Sequence, residues 1–118
     1  MTKDLPAVQK AYDLSKELLP RVSKFPRDFR FSLGERIIAN SLEVLELLIQ
    51  AAYAKEKLRF LDQANLDLER LRFLLRLARE LGPLSHNGYE YVMKQLTELG
   101  RQIGGWRKQA SEAHAQNL

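Results

Sequence analysis

FLDQANLDLERLRFLLRLARELG, residues 60–82, is the stretch that decides the fold of this chain. Its apolar residues recur at alternating steps of three and four, which is the repeat of one face of an α-helix. That stripe consists of Leu61, Ala64, Leu68, Leu71, Leu75, Ala78 and Leu81. A second apolar flank lies outside it and consists of Leu66, Phe73, Leu74 and Leu77. Because one bundle seam needs a narrower surface, we expect this helix either to be deeply buried or to meet a neighbouring subunit.

Arginines form a third face of the same helix. Arg72, Arg76 and Arg79 follow one another at steps of four and three along one side. One interpretation is a solvated face on which these side chains pair with Glu69 and Glu80. The other is a cationic row for the phosphate or carboxylate groups of a partner, which the planar guanidinium group suits well. The sequence leaves both interpretations open.

Composition is that of one soluble globular or coiled-coil-like domain. The chain has 118 residues, 45% of them hydrophobic and 29% charged, which is enough for a hydrophobic core without disulfides. It contains no cysteine, which excludes thiol catalysis and zinc–thiolate sites. The net charge of +4 permits contact with polyanions without requiring it. Neither a signal-peptide core nor a long apolar run is present, so we expect a cytoplasmic protein with no membrane partner.

Apolar repeats elsewhere in the chain predict three further helices. The four predicted helices cover about residues 5–22, 32–54, 60–81 and 86–112. The expected seam of the first is Val8, Tyr12, Ser15, Leu19 and Val22, widened by Ala11, Leu14 and Leu18. That of the second is Ile38, Leu42, Leu45, Ile49 and Ala52, broadened by Leu33, Ile37, Val44, Leu47 and Leu48. Short connections make consecutive helices antiparallel. The expected fold is therefore all-α, a single-domain up-down-up-down four-helix bundle over residues 1–118.

Helix ends are predicted from capping residues and prolines. Asp4 is the expected N-cap of the first helix, and Pro20 should kink that helix or end it near residue 19. Residues 24–30 should form a connector. Ser32 with Glu35 predicts a capping box at the start of the second helix. Gly82, which precedes a proline, should end the third helix in a left-handed conformation.

Three glycines interrupt the second half of the fourth predicted helix. It should begin near Ser85 or Asn87 and fray from about residue 111. Gly100 and Gly104 lie four residues apart on one face, and Gly105 follows directly. Each glycine costs roughly 1 kcal/mol of helix propensity relative to alanine. They indicate either a flat patch that another backbone approaches closely or a local bend, and the sequence does not choose between these.

Two sets of residues are candidates for contact with other molecules. The set expected at a subunit interface is Leu66, Phe73, Leu77, Gly100, Gly104 and Trp106. The set expected to bind polyanions is Arg27, Arg30, Arg72, Arg76, Arg79 and Arg107. In an antiparallel bundle, Arg76 and Arg79 would lie at the same end as the 24–30 connector and form one basic end with it. A further cationic cluster occupies residues 55–59.

The sequence contains few residues that could form a catalytic site. The two histidines, His86 and His114, are expected to be exposed or capping residues. The carboxylates do not follow the Glu-x-x-His pattern of di-metal bundles. Neither a phosphate-binding loop nor a nucleophile elbow is present. We therefore expect a protein that is not an enzyme and that has no metal and no cofactor.

Several motifs along the chain, taken together, resemble one protein family. They are Lys24-Phe25-Pro26-Arg27, Arg30, Leu33-Gly34, Leu71-Arg72-Phe73-Leu74-Leu75-Arg76 and Gly100-Arg101-x-Ile103-Gly104-Gly105-Trp106. In order and spacing they are similar to the four-helix-bundle family of proteins encoded in ribosomal-RNA intervening sequences. That family also contains the accessory variability determinant (Avd) proteins of diversity-generating retroelements. The Leu-Arg-Phe run and the Gly-x-Trp near the C-terminus resemble the Avd branch more closely.

The resemblance implies a homopentamer of bundles that forms a barrel with a positively charged surface. It further implies an accessory protein that binds the reverse transcriptase of the element and RNA or DNA, and so supports mutagenic cDNA synthesis. The basic residues that match are Arg27, Arg30, Arg72 and Arg76, together with Arg107. The alternative is a four-helix-bundle intervening-sequence protein with an unassigned interaction role, not linked to a reverse transcriptase.

Overall fold

The computed structural model describes residues 5–116, and every regular element in this part of the chain is helical. The elements are α1 (Leu5–Ser23), α2 (Arg27–Phe29), a π-helical segment (Arg30–Gly34), α3 (Glu35–Tyr53), α4 (Leu58–Leu81) and α5 (His86–Gln116). The π-helical segment joins α2 to α3 without a break, so the path is helical from residue 27 to residue 53. The all-α class predicted from the sequence is confirmed.

Four long helices pack side by side. α1 contacts α3 and α5, and α4 contacts the same two helices, so the four form a square in which α1 and α4 are diagonal. The bundle measures 51 × 22 × 21 Å, with its core along the long axis. Six of the seven residues in the predicted stripe of α4 are buried: Leu61, Ala64, Leu68, Leu71, Leu75 and Ala78. The seventh, Leu81 at the C-terminal end of the helix, is exposed. Each fully buried leucine stabilises the fold by about 1.5–3 kcal/mol relative to exposure.

The core stripes of α1 and α3 are rotated from those predicted. The buried residues of α1 include Ala11, Leu14, Leu18 and Val22, and those of α3 include Ile37, Val44, Leu48 and Ala51. Tyr12 and Leu19, expected in the seam of the first helix, are exposed, as are Leu42 and Ile49 of the second. The predicted seam was wrong for the second helix and partly wrong for the first, in which Ser15 and Val22 are buried as expected. Each helix carries two adjacent apolar stripes, and periodicity alone does not show which one faces the core.

Pro20 does not end α1, which continues to Ser23. A proline within a helix leaves the carbonyl four residues earlier without its usual donor. Here that carbonyl belongs to Lys16, which is exposed, so water can take the place of the donor. The Ser23 hydroxyl donates to the Pro20 carbonyl at 2.7 Å and completes the last turn. The predicted N-cap, Asp4, lies outside the described residues.

The capping box predicted from Ser32 and Glu35 is not formed. Helical structure already begins at Arg27, immediately after Pro26, so Ser32 lies inside a helical path. Its hydroxyl donates to the Asp28 carbonyl at 2.9 Å instead of accepting from an amide. The prediction of a connector over residues 24–30 was wrong because a proline is favourable at the start of a helix, where its missing N–H costs nothing.

Gly34 closes the π-helical segment at a crowded point. It is buried, and a methyl group at this position would lie 2.8 Å from Val22 Cγ1 and 3.3 Å from the Phe29 carbonyl oxygen. Only a residue without Cβ fits there without displacing its neighbours. The close approach holds the start of α3 against the end of α1 and leaves Phe31 on the outside, 59% exposed.

Lys57 caps the C-terminal end of α3. Its ammonium group donates to the carbonyls of Ala51, Ala52 and Ala54 at 2.8, 3.2 and 3.0 Å. A cation at this end of a helix satisfies free carbonyls and complements the helix dipole. Within the cationic cluster predicted at residues 55–59, the Lys57 charge therefore contacts the end of α3 and is not available to a partner.

Lys57→Met is expected to lower the free energy of unfolding by about 1–2 kcal/mol, because three carbonyls lose a charged donor while the alkyl stem remains. Urea denaturation followed by circular dichroism measures the loss. Lys55→Met is the matched control, since Lys55 is exposed in the same turn, and it should change stability by less than about 0.5 kcal/mol. Equal effects of the two substitutions would contradict the capping role.

The turn between α4 and α5 follows the sequence prediction. Gly82 adopts a left-handed conformation with φ of 111°, and its amide donates to the Ala78 carbonyl at 3.1 Å. Of the two expected starts of the next helix, Ser85 is the one used. Its hydroxyl accepts a hydrogen bond from the Gly88 amide at 3.0 Å.

α5 is helical through Gly100, Gly104 and Gly105 and continues to Gln116. The fraying predicted from residue 111 is therefore not observed. His114 Nδ1 lies 3.6 Å from Glu56 Oε2, a contact between the last turns of α5 and the turn before α4. The helix tolerates its glycines because their propensity cost of about 1 kcal/mol each is offset by the burial of Ile103 and Trp106.

Candidate interaction surfaces

The second apolar flank of α4 lies on the surface of the bundle. Leu66, Phe73 and Leu77 are 46%, 66% and 44% exposed, whereas Leu74 is partly buried against the core. The exposed three, called the α4 stripe below, lie on the helix face opposite the core stripe. Of the two sequence expectations, deep burial of this flank is thus wrong. Contact with another chain stays a prediction, and exposed apolar rows are typical of such contacts.

The structure places two of the other predicted interface residues inside the subunit. Gly100 faces α4, where a methyl group would lie 3.0 Å from Arg72 Nη2 and 3.5 Å from Leu68 Cδ2. Trp106 belongs to the core and is 7% exposed. Gly104 is exposed, with open space where its side chain would be. Gly100 therefore makes room for two side chains of α4 in the same chain, and not for the second backbone that the glycines were expected to admit.

Two members of the arginine row have acidic neighbours on their own helix. Arg72 Nε lies 2.9 Å from Glu69 Oε1, although the N–H is not aligned for a hydrogen bond. Its side chain is only 27% exposed, which follows from its position over Gly100. Arg76 Nε donates to Glu80 Oε1 at 3.3 Å and is well exposed. The interpretation of a solvated face with ion pairs thus holds for Arg76, and Arg72 is a packing residue as well.

Arginines stack on two tyrosines at the start of α5. The guanidinium carbon of Arg79 lies 4.4 Å from the centre of the Tyr89 ring, and that of Arg21 lies 5.1 Å from the Tyr91 ring. Such contacts are worth about 0.5–1 kcal/mol each at exposed sites. They fasten α5 to α4 on one side and to α1 on the other. Sequence reasoning missed Arg21 and both tyrosines, because the partners are far apart along the chain.

Arg27 and Arg30 flank the junction of α1 and α3. Arg27 is exposed at the start of α2. Arg30 Nη1 donates to the Ser23 carbonyl at 3.4 Å, and its guanidinium lies 4.9 Å from the centre of the Phe31 ring. Neither has an acidic partner among the described residues. Arg79 also lacks an acidic partner there but is stacked on Tyr89, so three of the six predicted site arginines have a charge that no carboxylate of the described residues compensates.

Arg107 of α5 forms an ion pair with Asp62 of α4. Its Nε donates to Asp62 Oδ1 at 2.8 Å, and its Nη2 lies 2.7 Å from the same oxygen. The pair joins α5 to α4. Arg30 and Arg79 lie at the same end of the bundle, where Arg21 near the end of α1 reaches Tyr91 near the start of α5. They lie on opposite sides of the square at that end, Arg30 beside the α1–α3 groove and Arg79 between α4 and α5.

An apolar groove between α1 and α3 was not predicted as a site. It has a volume of about 440 Å³ and is lined mainly by carbon atoms, with Leu19, Phe31 and Leu42 on its walls. Exposed apolar side chains continue along both helices beyond it. Together they form what is called the α1–α3 face below: Tyr12, Leu19, Phe31, Leu42, Ile49 and Tyr53. The signal in the sequence was the apolar width of the first two helices, which the prediction assigned to the core.

The histidines lie on the surface. His86 Nε2 is 3.9 Å from Glu90 Oε1, four residues later, a pairing that the sequence reasoning overlooked. Within residues 5–116 no three or more His, Asp or Glu side chains come together in a way that would hold a metal ion. Over the same residues no helix has the length and apolar character needed to span a membrane.

The helical arrangement is that of a four-helix bundle, and a solved structure shares this fold. A crystal structure of a protein of unknown function from the S23 ribosomal protein family of Bacteroides thetaiotaomicron VPI-5482 is similar, with a TM-score of 0.83. The match covers 90% of this chain and 98% of that chain at 14% identity, so the likeness is one of fold. No curated protein matches this sequence. A family model described as bAvd-like matches residues 6–110, and the chain belongs to that family.

Proposed function

We propose that this chain is a non-enzymatic accessory protein of a diversity-generating retroelement, in the Avd branch of its family. It acts in the cytoplasm as a homopentamer and uses neither a metal nor a cofactor. Through a basic surface of the oligomer it binds the reverse transcriptase of the element together with RNA or DNA, and so supports mutagenic cDNA synthesis. The observation that carries the proposal is the bAvd-like match over residues 6–110.

Self-association is supported by the α4 stripe. Leu66, Phe73 and Leu77 stand outward on one helix without cover from their own subunit. Removing such side chains from water is favourable by about 25 cal/mol for each Å² of apolar area. A chain that has filled its core and still presents this row gains stability by covering it with another chain.

Binding to polyanions is supported by arginine side chains whose positive charge is unpaired or only weakly paired within the described part of the subunit. Arg27 and Arg30 have no acidic partner within the described residues. The exposed pair of Arg76 with Glu80 is of a kind worth only about 0–1 kcal/mol, so a phosphate group can displace the carboxylate. The net charge of +4 per chain is multiplied in an oligomer. Contacts of this type fall steeply with salt and are weakly specific for sequence.

Arg27→Glu combined with Arg76→Glu is expected to weaken binding of the reverse transcriptase and of RNA by about tenfold or more while leaving helix content intact. Arg72 suits this test less well than its sequence position suggests, because a carboxylate there would be half-buried beside Glu69. Binding is measured by fluorescence anisotropy with labelled RNA and by co-purification with the polymerase.

The control for this test is the pair Lys10→Glu and Lys55→Glu, which changes the net charge equally at positions outside the proposed site. It should weaken binding only slightly. If both double variants reduce binding to the same degree, net charge alone is responsible and the assigned arginines are wrong. If neither variant has an effect on either partner, the basic surface does not carry the function.

A second candidate function is that of an intervening-sequence bundle protein with an interaction role unrelated to reverse transcription. It is favoured by the fold shared with the S23-family protein of unknown function and by the acidic neighbours of Arg72 and Arg76. The genes that flank this one discriminate between the two. A neighbouring reverse-transcriptase gene with a template repeat supports the first function, and a ribosomal-RNA gene around the reading frame supports the second.

A further inference from the structure

The chain presents two exposed apolar surfaces that differ from each other. One is the α4 stripe, which projects outward from a single helix. The other is the α1–α3 face, which includes the groove between two helices. Since α1 and α4 are diagonal in the bundle, the two surfaces lie on different sides of the subunit. A convex row and a concave groove are complementary shapes.

The two surfaces also share a spacing. On α3, Leu42, Glu46, Ile49 and Tyr53 follow one another at steps of four, three and four residues. On α4, Leu66, Arg70, Phe73 and Leu77 follow one another at the same steps. All eight side chains are exposed. Steps of four and three are the repeat by which two helices pack side by side with their apolar residues along one seam.

Each row contains one charged residue, Glu46 on α3 and Arg70 on α4, and the two charges have opposite signs. Glu46 has no ion-pair partner within residues 6–116, and Arg70 contacts only Asp67, three residues earlier, at 3.0 Å. Packing the α4 stripe of one copy against that of another would bring two copies of Arg70 close together, and packing two α1–α3 faces together would do the same for Glu46. Like charges disfavour both arrangements, whereas opposite charges favour contact between unlike surfaces.

We propose that the α4 stripe of one copy docks on the α1–α3 face of the next copy. Because α3 and α4 are antiparallel within one subunit, subunits that stand side by side in a ring bring these two helices together antiparallel, which places Arg70 of one copy opposite Ile49 and within one turn of Glu46 of the other. This inference rests on the proposed homo-oligomer and assigns the two surfaces that form its contact. Because the surfaces differ, each copy in a pair retains one free surface, so the pair as a whole presents one α4 stripe and one α1–α3 face. Association therefore continues head to tail until a ring closes.

Two variants, each with one blocked surface, test the proposal. Phe73→Glu places a charge in the α4 stripe, and Ile49→Glu places one in the α1–α3 face. Both positions are more than a third exposed, so both variants should fold, which circular dichroism verifies. Each alone should be monomeric by light scattering, with self-association weakened by roughly thirtyfold or more, as for an interface hot spot. Leu66→Glu and Leu42→Glu form a second pair if either of the first fails to fold.

Mixing the two variants gives the decisive result. One retains a working α1–α3 face and the other a working α4 stripe, so an equimolar mixture should form a species of two copies and no larger one. Native mass spectrometry identifies both chains in it. Tyr91→Glu is the matched control, since it alters an exposed aromatic residue outside both surfaces and should leave the oligomer unchanged.

A mixture that stays monomeric would overturn the proposal, and so would an Ile49→Glu variant that still forms the full oligomer. A two-copy species in the mixture would support it even if the wild-type oligomer failed to bind a reverse transcriptase. That last failure would overturn the proposed function alone, so the two inferences are tested separately.

Discussion

Trp106→Ala is expected to lower the free energy of unfolding by about 3–5 kcal/mol, the largest effect of any substitution considered for this chain. The ring is 7% exposed and belongs to the core cluster near the C-terminal end of α5. Its removal forfeits the burial of a large aromatic surface and leaves a cavity that the surrounding helices fill only in part. Urea denaturation followed by circular dichroism at 222 nm measures the loss in stability.

The loss of stability caused by Trp106→Ala, measured in the oligomer and in a monomeric variant, shows whether the Trp106 ring is buried within one subunit or between subunits. Trp106→Phe should cost less, about 1–2 kcal/mol, because most of the volume is retained. In a monomeric background such as Phe73→Glu, Trp106→Ala should be as destabilising as in the wild type, since the ring is buried within one subunit. A loss below about 1 kcal/mol in the monomer would instead mean that another chain covers the ring.

Gly34→Ala is expected to lower the free energy of unfolding by about 1–3 kcal/mol. A methyl group there would lie 2.8 Å from Val22 Cγ1 and 3.3 Å from the Phe29 carbonyl oxygen, and the backbone oxygen cannot move aside as a flexible side chain can. The substitution would therefore push the start of α3 away from the end of α1. Thermal and urea denaturation of the purified variant measure the change.

Gly104→Ala is the matched control for this substitution. It lies within α5 with no atom near the position of a side chain, so alanine should raise stability by about 0.5–1 kcal/mol through helix propensity. Stabilisation by both substitutions would contradict the close packing at Gly34. If Gly104→Ala stabilises the subunit yet weakens the oligomer, the original assignment of Gly104 to a subunit interface is supported.

The helices themselves could be predicted because apolar repeats and turn residues agreed. The core stripe of α4 and the left-handed Gly82 are examples in which one pattern dominated. The rotation of α1 and α3 could not be predicted in the same way. Leu18 and Leu19 are adjacent and chemically alike, and only the position of the neighbouring helices decides that the first is buried and the second exposed.

The candidate surfaces show the same division. Contacts between residues three or four apart, such as Arg76 with Glu80, could be predicted from spacing on a helix. Contacts across helices could not, because the register between helices is absent from a single sequence. Arg107 and Asp62 are 45 residues apart in the sequence, so their contact is visible only once the helices are packed together. The α1–α3 face was not recognised for the same reason, since four of its six residues, Tyr12, Leu19, Leu42 and Ile49, had been assigned to core seams.

The measurement that tests the account most directly is native mass spectrometry of the unaltered full-length chain. The central claim is that the apolar surface left over by the core is covered by further copies of the chain. A single closed species of five copies is the predicted result. A chain that stays monomeric at every concentration would contradict the claim, because both apolar surfaces would then be stable in water without a partner.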